Sequence, residues 1–303
     1  PRAGCLPEPG GEEQSMKIFV TGVRGQLGHD VVKELEKRGI EAVGVDIQEM
    51  DITDAGSVDR VIKAAAPDTV IHCAAYTAVD AAEDNEEACR RVNAEGPRNI
   101  AGVCRELDIP MLYISSDYVF DGKGTEGWKP DDTCNPQSVY GLTKYEGELA
   151  VKELLDKYFI VRITWTFGVN GKNFVKTMLN LSKNHDTIRV VNDQFGSPSY
   201  TYDLAKLLVD MVLTDKYGIY HATNEGICSW YDFACAIFQE AGIEMNVVPV
   251  STEEYGAKAK RPANSRMDKE KLVESGFHRL PTWQDALSRY VKALRESGFF
   301  EER

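Results

Sequence analysis

Tyr140 and Lys144 stand four positions apart in the stretch "VYGLTK". On a helix that spacing puts a phenol and an amine on one face, with Cβ atoms about 5–6 Å apart. An ammonium beside a phenol favours the phenolate and draws the tyrosine pKa down towards neutrality. Such a phenol can hand a proton to a carbonyl oxygen while a hydride arrives at the carbon. The same oxygen needs a second hydroxyl to fix it, and "ISSDYVFDG" offers Ser116 at the end of an expected strand, with Ser115 beside it as the competing candidate. A strand-end hydrogen bond is the plain role for either serine. A Tyr-x-x-x-Lys spacing also arises by chance in many chains, so the pair carries weight only where a cofactor site accompanies it.

That site is expected in "TGVRGQLG", directly after the first strand and opening the first helix. Its glycines, Gly22, Gly25 and Gly28, permit a tight turn and let backbone N–H groups approach a pyrophosphate at the positive end of the helix. The G-x-x-G-x-x-G spacing is the variant found in short-chain dehydrogenase/reductase folds. With Arg24, Gln26 and Leu27, the loop forms the first part of a cofactor surface. Asp46 ends the second strand 18 residues after Gly28, close to the roughly 20 expected for an acid on the adenosine ribose. Asp51 and Ile52 in "MDITD" can border an adenine pocket. In "HCAAYTAVD" the small Ala74 and Ala75, followed by Tyr76, let a cofactor lie against the backbone. Arg24 suits a 2′-phosphate whereas Asp46 repels one, and a solvated arginine is the plain alternative, so NADPH and NADH both stay open.

The elements that must position these residues alternate. "KIFVTG", "EAVGVD", "DTVIHCAA", "MLYISS" and "FIVRIT" read as strands. "QLGHDVVKELEKRG", the long "NEEACRRVNAEGPRNIAGVCRELD" and "SVYGLTKYEGELAVKELLDK" read as helices between them. The pattern predicts an α/β fold with a Rossmann-type, doubly wound parallel sheet. Beyond residue 164 the alternation loosens into amphipathic helices with irregular links. A dinucleotide-binding domain over 16–163 and about 187–224 is expected, interleaved with a smaller substrate-binding domain over about 164–186 and 225–303. That second part would cover the carboxyl edge of the sheet, where ligands bind in open α/β folds. Residues 1–15, "PRAGCLPEPGGEEQS", lack an apolar segment and a basic start, and read as a disordered extension rather than a signal peptide.

Composition excludes several classes. The net charge of −13 argues against nucleic acid or an anionic membrane as partner. No apolar run approaches the roughly 18 residues needed for a membrane span. Seven scattered cysteines without C-x-x-C, and five histidines without H-x-x-x-H, leave no disulfide framework or zinc site and suit a reduced, cytoplasmic setting.

With these parts in place, the chain resembles the dTDP-4-dehydrorhamnose reductase family of extended short-chain dehydrogenases/reductases. The resemblance runs over roughly residues 16–295 through "TGVRGQLG", "HCAAYTAVDAAE", "SSDYVFDG", "NPQSVYGLTKYEGE", "RITWTFG", "NFVKTMLNL" and "VNDQFGSPSYTYDLA". It implies reduction of the C4 ketone of dTDP-4-dehydro-L-rhamnose by NADPH or NADH, with Ser116, Tyr140 and Lys144 as catalytic triad. By the same resemblance Val79, Asp117, Tyr118 and Trp165 surround the sugar, Thr77 lies near the nicotinamide, and Asn93 in "RVNAEG" is the asparagine common in extended members. The family usually has Ala-Asn where Val23-Arg24 stands, and threonine in place of Ser116 and Ser199. The resemblance allows a homodimer and magnesium, but assigns no metal ligand here.

Arg261 in "KRPANS" could clamp a substrate diphosphate in bidentate fashion or be a surface arginine. Trp230, Tyr231 and Phe233 read as core packing in preference to a base-stacking platform. Sugar-nucleotide dehydratases of this fold need an Asp-Glu pair after the serine strand, and here Tyr118 follows Asp117. An epimerase or another nucleotide-sugar reductase fits the fold. So does a non-catalytic binding subunit like the regulatory subunit of methionine adenosyltransferase, which turnover of a ketosugar nucleotide would separate.

Overall fold

The computed structural model describes residues 15–301, so all of the amino-terminal extension except Ser15 lies outside the described residues. Six strands form one sheet: β1 (Lys17–Thr21), β2 (Glu41–Val45), β3 (Thr69–His72), β4 (Met111–Ser116), β5 (Tyr158–Ile163) and β6 (Gly218–His221). Their order is β6-β5-β4-β3-β1-β2, and every pairing is parallel. The expected doubly wound sheet is what the chain forms. The chain leaves β1 for β2 on one side and returns to β3 on the other, which opens a crevice beyond the carboxyl ends of β1 and β3.

Both faces of this sheet are covered, so its strands are apolar on both sides. Ile18 and Val20 of β1 pack with Val31 and Leu35 of α1 (Gln26–Lys37), while Phe19 between them packs on the opposite face. On that face lie Val58 and Ile62 of α2 (Ala55–Ala65), Ile100 and Cys104 of α3 (Gly96–Leu107), and Val151 of α4 (Val139–Leu154). A separate carboxyl-terminal core joins α5 (Phe174–Leu181), α7 (Trp230–Ala241) and α8 (Trp283–Glu296) through Val175, Leu179, Phe233, Ile237, Leu287 and Val291. The intervening α6 (Thr201–Val212) instead packs on the main sheet beside α1, through Leu204 and Leu208. Short strand pairs fill the links, including Thr187–Val191 beside Asn246–Val250.

The sequence pattern did not single out α2 or β6. It also read 85–108 as one helix, whereas Glu86–Arg90 and α3 are joined by a π-helical turn, Arg91–Glu95. Pro97 lies in the first turn of α3, directly after the π-helical turn. π-Helical turns of this kind often sit at functional sites, and this one carries Asn93. Among the described residues no helix is long and apolar enough to cross a membrane.

Candidate active site

The first turn of α4 is pinned from three directions. Ser138 caps it by accepting from Gly141 N–H at 3.1 Å, and Glu83 accepts from Val139 N–H at 3.0 Å. Gly141 is required because a Cβ there would lie 2.3 Å from the Tyr118 carbonyl oxygen. Gly147 serves one and a half turns on, where a Cβ would meet the Asn93 carbonyl at 2.4 Å. These two approaches seat α4 against the turn after β4 and against the π-helical segment. Tyr140 and Lys144 thereby face the crevice together.

Lys144 is 2% exposed, and its Nζ donates to the Ile114 carbonyl at 2.6 Å while lying 4.6 Å from the centre of the Tyr113 ring. Burial pushes its pKa down to about 8, against the opposing charge of Glu148. Tyr140 departs from the expected direction. Burial, and next the charge of Asp117, raise the phenol pKa, while a hydrogen bond with Ser116 works the other way. From its position on Ile114, Lys144 does not draw the phenol down, so in the protein alone Tyr140 is a neutral proton donor.

The two adjacent serines separate cleanly. Ser115 pairs in register with Arg162 of β5, and its hydroxyl donates to Glu148 Oε2 at 2.5 Å, inside a buried network. Ser116 Oγ accepts from Tyr118 N–H at 3.2 Å and donates to Asp117 Oδ1 at 3.0 Å. Both line the crevice, but the Ser115 hydroxyl is committed to Glu148, whereas that of Ser116 is hydrogen-bonded with Tyr140. Asp117 is buried, and desolvation lifts its carboxyl to about 6. A raised carboxyl pKa means that stability is fully present below the unfolded value and is lost as pH rises through about 6. Asp117→Asn, which cannot ionise, is therefore expected to gain about 2 kcal/mol on the wild type between about pH 4 and pH 7. Urea unfolding at both pH values checks this; equal differences would show that the carboxyl titrates normally.

The glycine loop makes a cradle that side chains would fill. Gly22 has φ +70°, and a Cβ on it would lie 2.7 Å from Ala74 N. A Cβ on Gly28 would lie 2.3 Å from the Gly22 carbonyl oxygen. Gly25 occupies the N-cap of α1 without a side-chain cap, so the first N–H groups of that helix are directed at the crevice. The crevice is about 580 Å³, and Gly22, Gly25, Gln26, Leu27, Gly28, Asp46, Ala74, Ala75 and Thr77 all line it. Val79, Ser116, Asp117, Tyr118, Tyr140, Lys144 and Trp165 line it as well. Backbone donors, a close-approach loop and an acid at the end of β2 fit a dinucleotide.

Asp46 accepts from Arg24 N–H and Ile47 N–H, each at 2.9 Å, which leaves lone pairs for ribose hydroxyls. Arg24 is not simply solvated. Its guanidinium donates to Glu49 at 2.7 and 3.0 Å and to Gln48 at 2.5 Å, and this holds the Glu49 carboxyl down at about 2.

Other expected residues stand behind or beside the crevice. Asn93 is buried and brackets Tyr76, accepting from its N–H at 2.8 Å and donating to its carbonyl at 3.0 Å, so both act on the shape of the wall. Ile52 packs against Gly96, and Asp51 accepts from Thr53. Neither lines the crevice. Arg261 lines a second cleft of about 540 Å³ and is held there by a bidentate pair with Asp80, both bonds at 2.9 Å. Arg189, Lys258 and Lys260 line the same cleft with Phe174, Trp230 and Tyr255. Trp165, with φ +46°, lines the first cleft and stacks at 3.8 Å on Trp230, which lines the second. The aromatic trio packs as expected, with Phe233 in the core and Trp230 and Tyr231 against it, and Trp230 also forms part of the cleft wall.

The segment after Trp165 adds residues that no expected role covers. Lys172 lines the crevice, Asn170 donates to the Arg24 carbonyl at 2.8 Å, and Asn173 donates to Gln26 Oε1 at 3.0 Å. The run "GVNGKN" is the only local signal, a polar glycine loop like many others. Among the described residues no group of three or more His, Cys, Asp or Glu is placed to hold a metal ion.

The model of the RmlD substrate binding domain matches residues 16–296. The chain belongs to this family. Members of the RmlD family are oxidoreductases built on a dinucleotide-binding fold, as this sheet and cradle are. The chain is 39% identical to the spore coat polysaccharide biosynthesis protein SpsK of Bacillus subtilis, over 91% of this chain and 97% of that protein. It is 41% identical to the dTDP-4-dehydrorhamnose reductase of Aggregatibacter actinomycetemcomitans, over 92% and 99% respectively. The crystal structure of the Bacillus anthracis dTDP-4-dehydrorhamnose reductase in complex with NADP superposes with a TM-score of 0.90 at 42% identity, covering 92% of this chain and all of that one.

Proposed function

We propose that this RmlD-family protein is an NAD(P)H-dependent reductase of a nucleotide sugar, acting on the C4 ketone of dTDP-4-dehydro-L-rhamnose to give dTDP-L-rhamnose for a cell-surface polysaccharide. The observation that carries the reading is that Tyr140 and Ser116 line the crevice that holds the glycine cradle, with a cation-lined cleft on the far side of the Trp165–Trp230 stack. One cleft has the cradle of a dinucleotide; the other has the cations and aromatic rings that a nucleoside diphosphate needs. The Bacillus anthracis relative bears NADP, and the relatives named as dTDP-4-dehydrorhamnose reductases support the sugar. A cytoplasmic setting follows from the substrates.

When bound, the reduced nicotinamide supplies a hydride. The N-terminus of α1 and the Gly22–Gly28 loop receive the pyrophosphate, and Asp46 receives the adenosine ribose. Tyr140 delivers its proton to the ketone oxygen, and Ser116 donates a hydrogen bond to the same oxygen. Lys144, anchored on Ile114, holds the cofactor side of the crevice. Val79, Tyr118 and Trp165 enclose the sugar. Asp80 sets the angle of Arg261 towards the diphosphate. We assign about 164–186 and the chain from 225 onward to a substrate-binding part and 16–163 with about 187–224 to a dinucleotide-binding part, except that Thr187–Val191 pairs with Asn246–Val250 and packs in the carboxyl-terminal core.

Turnover is tested by following NADPH and NADH oxidation with dTDP-4-dehydro-L-rhamnose, beside GDP and UDP ketosugars. Fast oxidation with the dTDP sugar is expected. Cofactor binding without turnover of any ketosugar would favour a non-catalytic subunit, and preference for another nucleotide would move the assignment within the family.

The same assay reads cofactor choice. Repulsion between Asp46 and a 2′-phosphate is worth roughly 1–4 kcal/mol, and an arginine fork recovers a comparable amount. Dual use with less than about tenfold preference is expected. Arg24→Ala should shift the kcat/KM ratio towards NADH and Asp46→Ala towards NADPH. Glu49→Gln, which releases the Arg24 fork, should move the ratio several-fold towards NADPH. An unchanged ratio in Arg24→Ala would show that this arginine does not reach the cofactor.

A further inference from the structure

Ser116 has one proton and two demands on it. Its Oγ donates to Asp117 Oδ1 at 3.0 Å, and Ser265 Oγ donates to Asp117 Oδ2 at 2.5 Å. Tyr118 N–H fills one lone pair of Ser116 Oγ at 3.2 Å. A hydroxyl carries a single donor hydrogen. While Asp117 is ionised, its carboxylate holds the Ser116 proton, and a ketone oxygen in the crevice meets only serine lone pairs. Once Asp117 is neutral, its own O–H can donate to Ser116 Oγ, and the serine proton turns to the crevice.

We infer that Asp117 is a positioning residue whose protonation decides whether Ser116 can donate to the substrate oxygen. This rests on the role given to Ser116 above, and it adds a switch that the triad alone lacks. The surroundings suit it. Asp117 is 3% exposed and Ser265 is 1% exposed, so no solvent competes for the carboxyl. Tyr140 faces it from α4 and Tyr118 from its own turn, both held neutral by burial. The cation Arg261 and the anion Asp80 act on Tyr118 and are paired with each other. Lys144 is tied to Ile114. Burial holds the carboxyl up at about 6, with the two serine bonds pulling it down. A nucleotide sugar filling the crevice replaces the water there and lowers the dielectric around the buried carboxyl, which moves the balance further towards the neutral, donating arrangement.

The test begins with the protein alone. Infrared difference spectra between wild type and Asp117→Asn, recorded from about pH 4 to 9, report the neutral carboxyl. A midpoint near 6 is expected in the wild type. Ser265→Ala and Ser116→Ala should each raise it by about one pH unit, because each removes a donor to the ionised form. In ketone reduction, kcat/KM should fall by at least about tenfold above the midpoint, towards a lower plateau. That limb should move up with the midpoint in Ser265→Ala and vanish in Asp117→Asn. A midpoint in the ordinary carboxylate range, no response to Ser116→Ala, or a limb that stays put while the midpoint moves would each overturn the inference. If no ketosugar is reduced, the functional reading fails separately, and the infrared response to Ser116→Ala still decides whether the two groups share the proton.

Discussion

Tyr140→Phe is expected to lower kcat for ketone reduction by about 10²-fold or more, with the dissociation constants of NADPH and NADH nearly unchanged. The phenol is the group at the crevice that can release a proton to the ketone oxygen. Ser116 can donate a hydrogen bond but does not supply a proton at a useful rate. Removing one hydroxyl from a half-buried ring leaves the edge contact with Tyr118, at 5.1 Å between centroids, and leaves the Gly141 approach intact. The fold and the cofactor cradle should therefore survive. Stopped-flow turnover beside fluorescence titration of the cofactor separates the two quantities. Near-normal turnover would remove Tyr140 from the chemistry, and equal losses in rate and cofactor affinity would indicate a structural role instead.

Arg162→Met should produce the largest loss of stability among single changes near the site, about 3–5 kcal/mol. Arg162 and Glu148 form an ion pair at 2.7 Å with side chains 2% and 1% exposed. The guanidinium also donates to the Pro130 carbonyl at 3.1 Å and contacts His221 Nε2 at 3.2 Å, while its plane lies over Phe120. His221 is kept neutral by burial, so its Nδ1 donates to the Trp128 carbonyl and its Nε2 can accept from Arg162. Without the arginine, Glu148 is a buried carboxylate supported chiefly by Ser115. Replacing both partners with apolar residues should recover much of the loss, because the desolvation cost of the pair disappears with it. Urea unfolding of the single and double variants measures this. A single variant within 1 kcal/mol of wild type would mean that water or a neighbouring donor reaches Glu148.

The parts of the site that were legible in the sequence are those whose geometry is local. A glycine loop between a strand and a helix forms its cradle within seven residues, Gly22 to Gly28. Tyr140 and Lys144 share a helix face wherever that helix packs, and Asp46 follows from the length of one β-α-β unit. The alternation of strand and helix likewise dictated a parallel sheet, because crossovers of that length permit little else.

What the sequence could not contain were choices between partners far apart in the chain. Ser115 and Ser116 are chemically equal, and only the register of β4 against β5, which sets Ser115 beside Arg162, turns one to the buried network and leaves the other at the crevice. Arg24 could have met a phosphate or solvent, and the turn after β2 gave it Glu49. Arg261 and Asp80 are 181 positions apart and Trp165 stacks on Trp230, so the second cleft exists only once the carboxyl-terminal part has docked. The same holds for the phenol pKa. A lysine one turn away predicts a lowered value, but Lys144 is turned to the Ile114 carbonyl while burial and Asp117 raise the phenol, since desolvation is a property of everything packed around a group and not of its neighbours in sequence. Local spacing determined which residues can react together, and tertiary packing decided which of them are charged, which are paired, and where the proton rests.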